Sequence, residues 1–377
     1  MSLQLNGTAG VTYNDGSNQP AAASPYGLKN LIINGDMRIA QRGTSATITG
    51  GSVCHTVDRF IMNIDTTIFN SIATMGQNLD SLTPPSDFSN YVGIQINTGT
   101  ALSGNPYYNF RQQIEGNNLS HLKFGTSDAK TITLSFWVRS TLTGDFSFSL
   151  RNGASNRSYV TTYNIASANT WEKKTITITG DTTGTWAVDN TIGLTVNWGL
   201  GNSSGNFSTS TLNEWQAGSL TGATTGVDLV ATTNAKWYIT GVQLEIGDTA
   251  TPFENRMYSQ ELAMCQRYYY KIAGLNGQGL GCVGYVYNSQ VGVMTTTFPV
   301  QMRIRPTALE TTGTASDYSI RYLATATVSN TVPSFYTASL QAADVQFFVP
   351  TTTLTAGQGC MSRAASNSAY LAWSAEL

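Results

Sequence analysis

Thr131-Ile132-Thr133-Leu134-Ser135-Phe136-Trp137-Val138 alternates with a period of two: Ile132, Leu134, Phe136 and Val138 share one face, with Thr131, Thr133 and Ser135 on the other. Such alternation builds a strand with one face in a core. The same signal recurs on both sides of it. Phe146, Phe148 and Leu150 repeat it after the turn Gly144-Asp145, and Ile176 and Ile178 repeat it within Thr175–Thr179. Ile192, Leu194, Val196 and Trp198 line one face of a further strand. Trp237 to Ile246 is long enough for another, and its period slips at Gly241, where a bulge is expected. Many short strands joined by Gly, Asn and Ser turns predict an all-β chain, an antiparallel β-sandwich or jelly roll.

Composition points the same way. Of 377 residues only 11% are charged, 41% are hydrophobic and 36 are glycine. That is too little charge for long solvated helices and too much apolar surface for disorder. Twenty basic against 22 acidic residues, a net charge of -2, argue against nucleic-acid binding, which needs clustered Lys and Arg. The N-terminus lacks the basic and apolar regions of a signal peptide, and no apolar run reaches the ~18 residues of a membrane span. The expectation is a protein made in a cytoplasm without membrane insertion. Cys54, Cys265, Cys282 and Cys360 stand singly and read as buried free thiols.

Three segments follow from this reading. Residues 1–27 are small and polar, with a turn at Asn14-Asp15-Gly16 and an extended tether at Gln19-Pro20-Ala21. They hold too little apolar surface to fold alone, so they read as an attachment segment ordered by another chain. Residues 28–255 form the first β domain. Residues 256–377 form a second, smaller β-sandwich that opens with a helix over 256–271, because Tyr258, Leu262, Cys265 and Tyr269 fall on one stripe. Asn255 is its expected N-cap and Gly274 its stop. A hairpin over 283–298 and a final strand within 365–377 complete that domain.

Several ordered motifs carry a resemblance. Asn30-Leu-Ile-Ile-Asn34-Gly35-Asp36-Met37-Arg38-Ile39-Ala40-Gln41-Arg42-Gly43-Thr44, Val57-Asp58-Arg59-Phe60, Gln113-Ile114-Glu115-Gly116 and Thr133 to Arg139 follow one another. So do Trp237 to Gly247, Ala250 to Arg256, Glu261 to Tyr269, Met302 to Thr307 and Ser374-Ala375-Glu376-Leu377. The set resembles the carbohydrate-binding-module-like jelly roll of tailed-phage virion fibres and adhesins, with the domain that often follows it. The resemblance implies a virion protein on a tail or capsid surface, other virion proteins as partners of residues 1–27, host-surface polysaccharide as ligand, and a homotrimer. It marks no sugar-site residue.

The residues supply candidates of their own. Sugars present C–H faces that stack on aromatic rings. Trp186 in Gly184-Thr-Trp-Ala, Trp215 in Asn213-Glu-Trp-Gln, and Tyr107 and Tyr108 after Gly104-Asn-Pro are the carbohydrate-binding candidates. Tyr268, Tyr269 and Tyr270 surround a helix end, so one ring at least leaves the stripe for an oligomer interface. Few Lys gatekeepers leave the sheet edges in need of cover. No catalytic residue is assigned: Glu115, Asp145, Glu172, Asp181, Asp189, Glu214, Glu245 and Glu254 show no spacing that singles out a glycosidase pair. Glu245 and Glu254 are expected to pair with Arg59 or Arg256. His55 and His121 read as surface or capping groups. Gly279-x-Gly281-x-x-Gly284 lacks the following helix of a nucleotide loop. No calcium loop is present, so neither metal nor cofactor is expected. The functional expectation is a non-enzymatic, receptor-binding virion fibre protein. A decoration or spacer protein without a sugar ligand and a polysaccharide-degrading enzyme are the alternatives.

Overall fold

The computed structural model describes residues 28–49, 53–64, 72–101, 107–202, 206–323, 325–350 and 354–377. Of residues 1–27 it describes three short strands, Gln4–Asn6, Gly10–Thr12 and Asn18–Gln19, paired antiparallel in that order. The rest of the expected attachment segment lies outside the described residues.

Alternation places Ile132, Leu134, Phe136 and Val138 in a core with no solvent exposure. Their strand, Ile132–Ser140, belongs to a six-stranded sheet. Its order is Glu172–Ile178, Ile132–Ser140, Lys236–Ile246, Val92–Thr98, Ile72–Gln77, Ser45–Thr49. The facing sheet has seven strands: Trp215–Ala217, Arg157–Ile165, Gly144–Asn152, Ile192–Asn202, Tyr107–Glu115, Phe60–Ile64, Val53–Cys54. Neighbours in both sheets are antiparallel. Trp198 sits between the sheets, 5.7 Å from Phe136 and 5.6 Å from Phe148 by ring centres. The expected slip at Gly241 is a bulge: the register shifts between Ser135 and Trp137, opposite Gln243 and Thr240. Gly241 has φ 62, and a Cβ there would lie 2.5 Å from the Phe88 ring, so glycine is required twice over. The edge strand Glu172–Ile178 carries Lys173 and Lys174, so this edge is guarded by charge after all.

A second core, from Leu280 to Ala375, lies inside a seven-stranded sheet and a three-stranded one. The small sheet joins Tyr269–Ala273, Tyr370–Ser374 and Glu310–Thr311. The expected hairpin forms from Gly279–Asn288 and Val291–Thr297. Gly279, Gly281 and Gly284 all lie within that first strand, which removes the nucleotide-loop reading.

The helix is shorter than its sequence pattern. It spans Tyr258–Gln266, with Met257 rather than Asn255 at the N-cap and Arg267 rather than Gly274 closing it. From Tyr269 the chain pairs with Tyr370–Ser374, and those ladder bonds replace helical ones. The inward positions are Glu261 and Cys265, whereas Tyr258 is 57% exposed. Two of the three tyrosines are corrected too. Tyr268 and Tyr269 are buried within this chain and are not an exposed oligomer surface. Tyr270 is half-buried and stacks on Trp373 at 6.2 Å.

What consumes those rings is the joint between the two β units. The Arg59 guanidinium lies 3.5 Å from the Tyr268 ring centre, and Arg42 lies 3.5 Å from that of Tyr269. Both arginines pair with Glu376. Arg267 binds Glu115 through two nitrogens, at 2.6 and 3.0 Å, and the Tyr268 hydroxyl donates to Glu115 at 2.9 Å. Burial pushes the Glu376 carboxyl up, but Arg59 and Arg42 outweigh it and hold it below its usual range. Arg256 pairs with Glu254 at 2.9 Å, as expected, and with Glu261 at 3.5 Å. Arg59 takes Glu376 instead, and Glu245 is held by Gln243 at 2.8 Å and the Thr251 hydroxyl at 2.6 Å.

Candidate functional site

At one end of the first sandwich, two loops leave the seven-stranded sheet side by side. One follows Tyr107–Glu115 and the other precedes Ile192–Asn202. Their anchor is Asp181, which is buried. Arg157 binds it through two nitrogens at 2.8 and 2.9 Å, and the Thr183 amide and hydroxyl donate to the same carboxylate. Burial raises the Asp181 pKa, but these hydrogen bonds prevail and lower it. The Asp181 carbonyl accepts from the Gly125 amide at 2.7 Å, which stitches one loop to the other. A Cβ on Gly125 would fall 2.7 Å from the Gly184 carbonyl oxygen and 3.1 Å from Trp186, so the close approach needs glycine.

This frame presents Trp186. Its indole N–H donates to the Thr183 carbonyl at 3.1 Å, which fixes the ring. Phe124 packs edge-on against it at 4.9 Å, and Trp215 does so at 5.3 Å. Trp215 in turn donates to the Thr179 carbonyl at 2.7 Å and rests on Tyr159 at 5.5 Å. In front of Trp186 and Phe124 opens a cleft of ≈ 410 Å³. Leu119, Leu122 and Val188 give it apolar walls, and Ser120, Thr126 and the Lys123–Asp128 ion pair, 3.0 Å apart, give it polar ones. That is the size and mixture of a small-ligand cleft.

The sequence candidates therefore separate. Trp186 lines the cleft. Trp215 sits behind it on a strand, packed against the core, rather than in a free loop. Tyr108 is fully buried and offers no ring face, which removes it as a sugar contact. Tyr107 is half-buried on the outer face of the seven-stranded sheet, edge-on to Phe207 at 5.2 Å. Phe124 was missed. Its neighbours show no strand period, and only the fold brings it to the tryptophans.

The carboxylates are dispersed. Glu115, Asp181, Glu245 and Glu254 hold the structural bonds described above. Glu172 pairs with Lys174 at 2.6 Å, Asp189 accepts from the Thr191 hydroxyl at 2.5 Å, Asp145 accepts from Asn164, and Glu214 is exposed. Asp128 is the carboxylate lining the cleft among the described residues, and Lys123 occupies it. Among these residues no group of three or more His, Cys, Asp or Glu is placed to hold a metal ion. A second cavity, ≈ 350 Å³, opens at the joint beside His121, Arg256, Arg267 and Tyr268, and its arginines are already paired. Burial lowers the His121 pKa. His55 is half-buried beside Arg42 and Glu376, and burial, then Arg42, pushes it down to about 4.

No family model matches the chain, and no curated protein matches it. Among solved structures it is similar to the enzymatically active domain of bacteriophage CBA120 tailspike protein 4. That match has 13% identity over 58% of this chain and 21% of that one, with a TM-score of 0.28. It is also similar to a putative sugar binding protein from Bacteroides thetaiotaomicron, with 10% identity, 58% and 100% coverage and a TM-score of 0.32. A family 11 carbohydrate-binding module of a Clostridium thermocellum cellulase gives 11% identity, 59% and 97% coverage and a TM-score of 0.26. These are loose likenesses, and the jelly-roll sandwich assignment rests on the strand order above. The described residues include no helix long and apolar enough to cross a membrane.

Proposed function

We propose that this chain is a non-enzymatic, glycan-recognising component of a phage fibre, and that the cleft at Trp186 holds the sugar. The observation that carries this reading is the fixed, partly exposed Trp186 ring at the mouth of an apolar cleft edged with hydroxyls. A ring locked by its own N–H loses little freedom when a sugar stacks on it. The fibre assignment rests on the ordered motifs of the sequence. Attachment through residues 1–27 and a homotrimer belong to the same proposal. With Tyr268 and Tyr269 buried, the trimer is supported by avidity on a repeating surface. Mass measurement in solution tests it, a single-chain mass ruling it out.

Trp186→Ala is expected to weaken adsorption to host glycan by about 1–3 kcal/mol, as for a stacked hot-spot ring, without release of sugar. Unchanged adsorption by a folded Trp186→Ala protein overturns the site. One observation favours the spacer reading: the motif residues Arg42, Arg59, Glu115, Glu261, Arg267 and Glu376 gather at the joint, not at the cleft. Binding to purified tail or capsid with no glycan binding would select that reading.

A further inference from the structure

The outer face of the seven-stranded sheet carries a second set of polar groups, unrelated to the cleft. Because Tyr108, Phe110 and Ile114 face the core, Asn109, Arg111 and Gln113 point the other way. Asn197 lies opposite Arg111, and Ser149 lies opposite Asn197 on the next strand. Arg151 is one step further along that strand's outer face, opposite Thr195. A segment returning over this face reaches it at three points. The Arg151 guanidinium donates to the Ser219 hydroxyl at 2.7 Å, the Asn197 amide donates to the Thr221 carbonyl at 3.1 Å, and Phe207 meets Tyr107.

What its two arginines lack is a carboxylate partner. Arg38, Arg42, Arg59, Arg157, Arg256 and Arg267 each pair with a carboxylate. Arg111 and Arg151 pair with none among the described residues, although each buries its Nε without a partner. Around them stand further unmatched groups. Asn109 is fully buried with both amide atoms unbonded, and the Asn197 and Gln113 side-chain oxygens are likewise unmatched. The half-buried Arg111 and the buried Arg151 lie in one patch and repel each other. Burial, then the charge of Arg111, lowers Arg151 to about 10, and burial lowers Arg111. Both remain cations at neutral pH, and a buried cation is stabilised only by an anion or by matched hydrogen bonds.

We propose that this face is a binding site for an anionic saccharide. Arg111 and Arg151 receive its carboxylate or sulfate ester, and Tyr107 packs on its ring. Arginine presents a planar fork that suits either oxyanion. The site is separate from the Trp186 cleft, which is lined by other residues and holds its one carboxylate and one amine already paired.

The test uses the full chain and three polymers: sodium polygalacturonate, which carries carboxylates; dextran sulfate, which carries sulfate esters; and neutral dextran. In affinity electrophoresis, one anionic polymer is expected to retard the protein at least tenfold more strongly than dextran does, and which one does so identifies the oxyanion. Arg111 makes no hydrogen bond that the fold needs, so Arg111→Gln is expected to fold normally and to lose that retardation at least tenfold. Trp186→Ala is expected to keep it, which separates this site from the cleft. Arg321→Gln, at an exposed arginine of the second β unit, is also expected to keep it. Equal retardation by neutral dextran, full retardation of Arg111→Gln, or an equal loss in Arg321→Gln would overturn the proposal.

Discussion

The joint and the outer sheet face handle arginine in opposite ways. At the joint, Arg42, Arg59, Arg256 and Arg267 each meet a carboxylate, and Arg42 and Arg59 also cover a tyrosine ring. On the sheet face, Arg111 and Arg151 meet no carboxylate among the described residues. Both regions withdraw guanidinium from water, and both leave an Nε unmatched, on Arg59 as on Arg111 and Arg151, so the difference lies in counter-charge. A charge-paired network holds two bodies together. One without carboxylates keeps its capacity for something that arrives from outside.

Breaking the charge-paired network should cost most. Glu376→Gln is expected to destabilise by about 3–5 kcal/mol, since it leaves the buried Arg59 without a counter-charge, and Arg59→Met by less, since Arg42 still pairs with Glu376. Denaturant unfolding measures this, and a loss below about 1 kcal/mol would mean that the joint is not held by charge. The aromatic frame behind the cleft should fall in between. Trp215→Ala is expected to cost about 2 kcal/mol, less than a fully buried tryptophan, because its ring is partly exposed. A melting point equal to that of the parent would return Trp215 to the status of a free loop residue.

Acid provides a finer probe of the joint. His55 has a folded pKa near 4 against 6.5 for the free side chain, so the unfolded chain takes up its proton first. Its contribution is therefore full above pH 6.5 and lost as pH falls from there toward about 4. Melting points across that window should decline in the parent and flatten in His55→Gln. Equal slopes would place the acid sensitivity elsewhere. The smallest effect is expected on the sheet face. Arg111→Met should change stability by no more than about 0.5 kcal/mol, and in the favourable direction, because it removes an unpaired cation. A loss like that of Arg59→Met would show that a hidden partner exists.

The strands were legible because period two survives burial: Ile132 to Val138 and Ile192 to Trp198 read the same in sequence and in space. The helix was half legible. Tyr258, Leu262, Cys265 and Tyr269 share a helical stripe, but strand pairing captured Tyr269 and a carboxylate network drew Glu261 inward. A hydropathy pattern cannot show a buried glutamate whose arginine lies five residues away. Trp186 was visible as a loop ring, whereas Phe124 was not, because their contact joins loops 62 residues apart in the chain. The unpaired arginines are the least legible of all. Arg111 and Arg151 look in sequence like any outward charge on a strand, and only the sheet register brings the two into one patch.

The clasp on Glu376 has a temporal consequence. Its partners Arg42 and Arg59 lie 334 and 317 residues earlier in the chain. Each sandwich can nucleate from hairpins such as Gly144–Asn152 with Arg157–Ile165, which close short loops. The clasp closes the longest loop among the hydrogen bonds of the described residues, and that entropy cost is recovered only after both surfaces exist. Refolding from denaturant should then show two phases. Buried tryptophan fluorescence would appear in the faster one, and protection of Tyr268 and Tyr269 from solvent would arrive in the slower, as the last event that locks the chain shut.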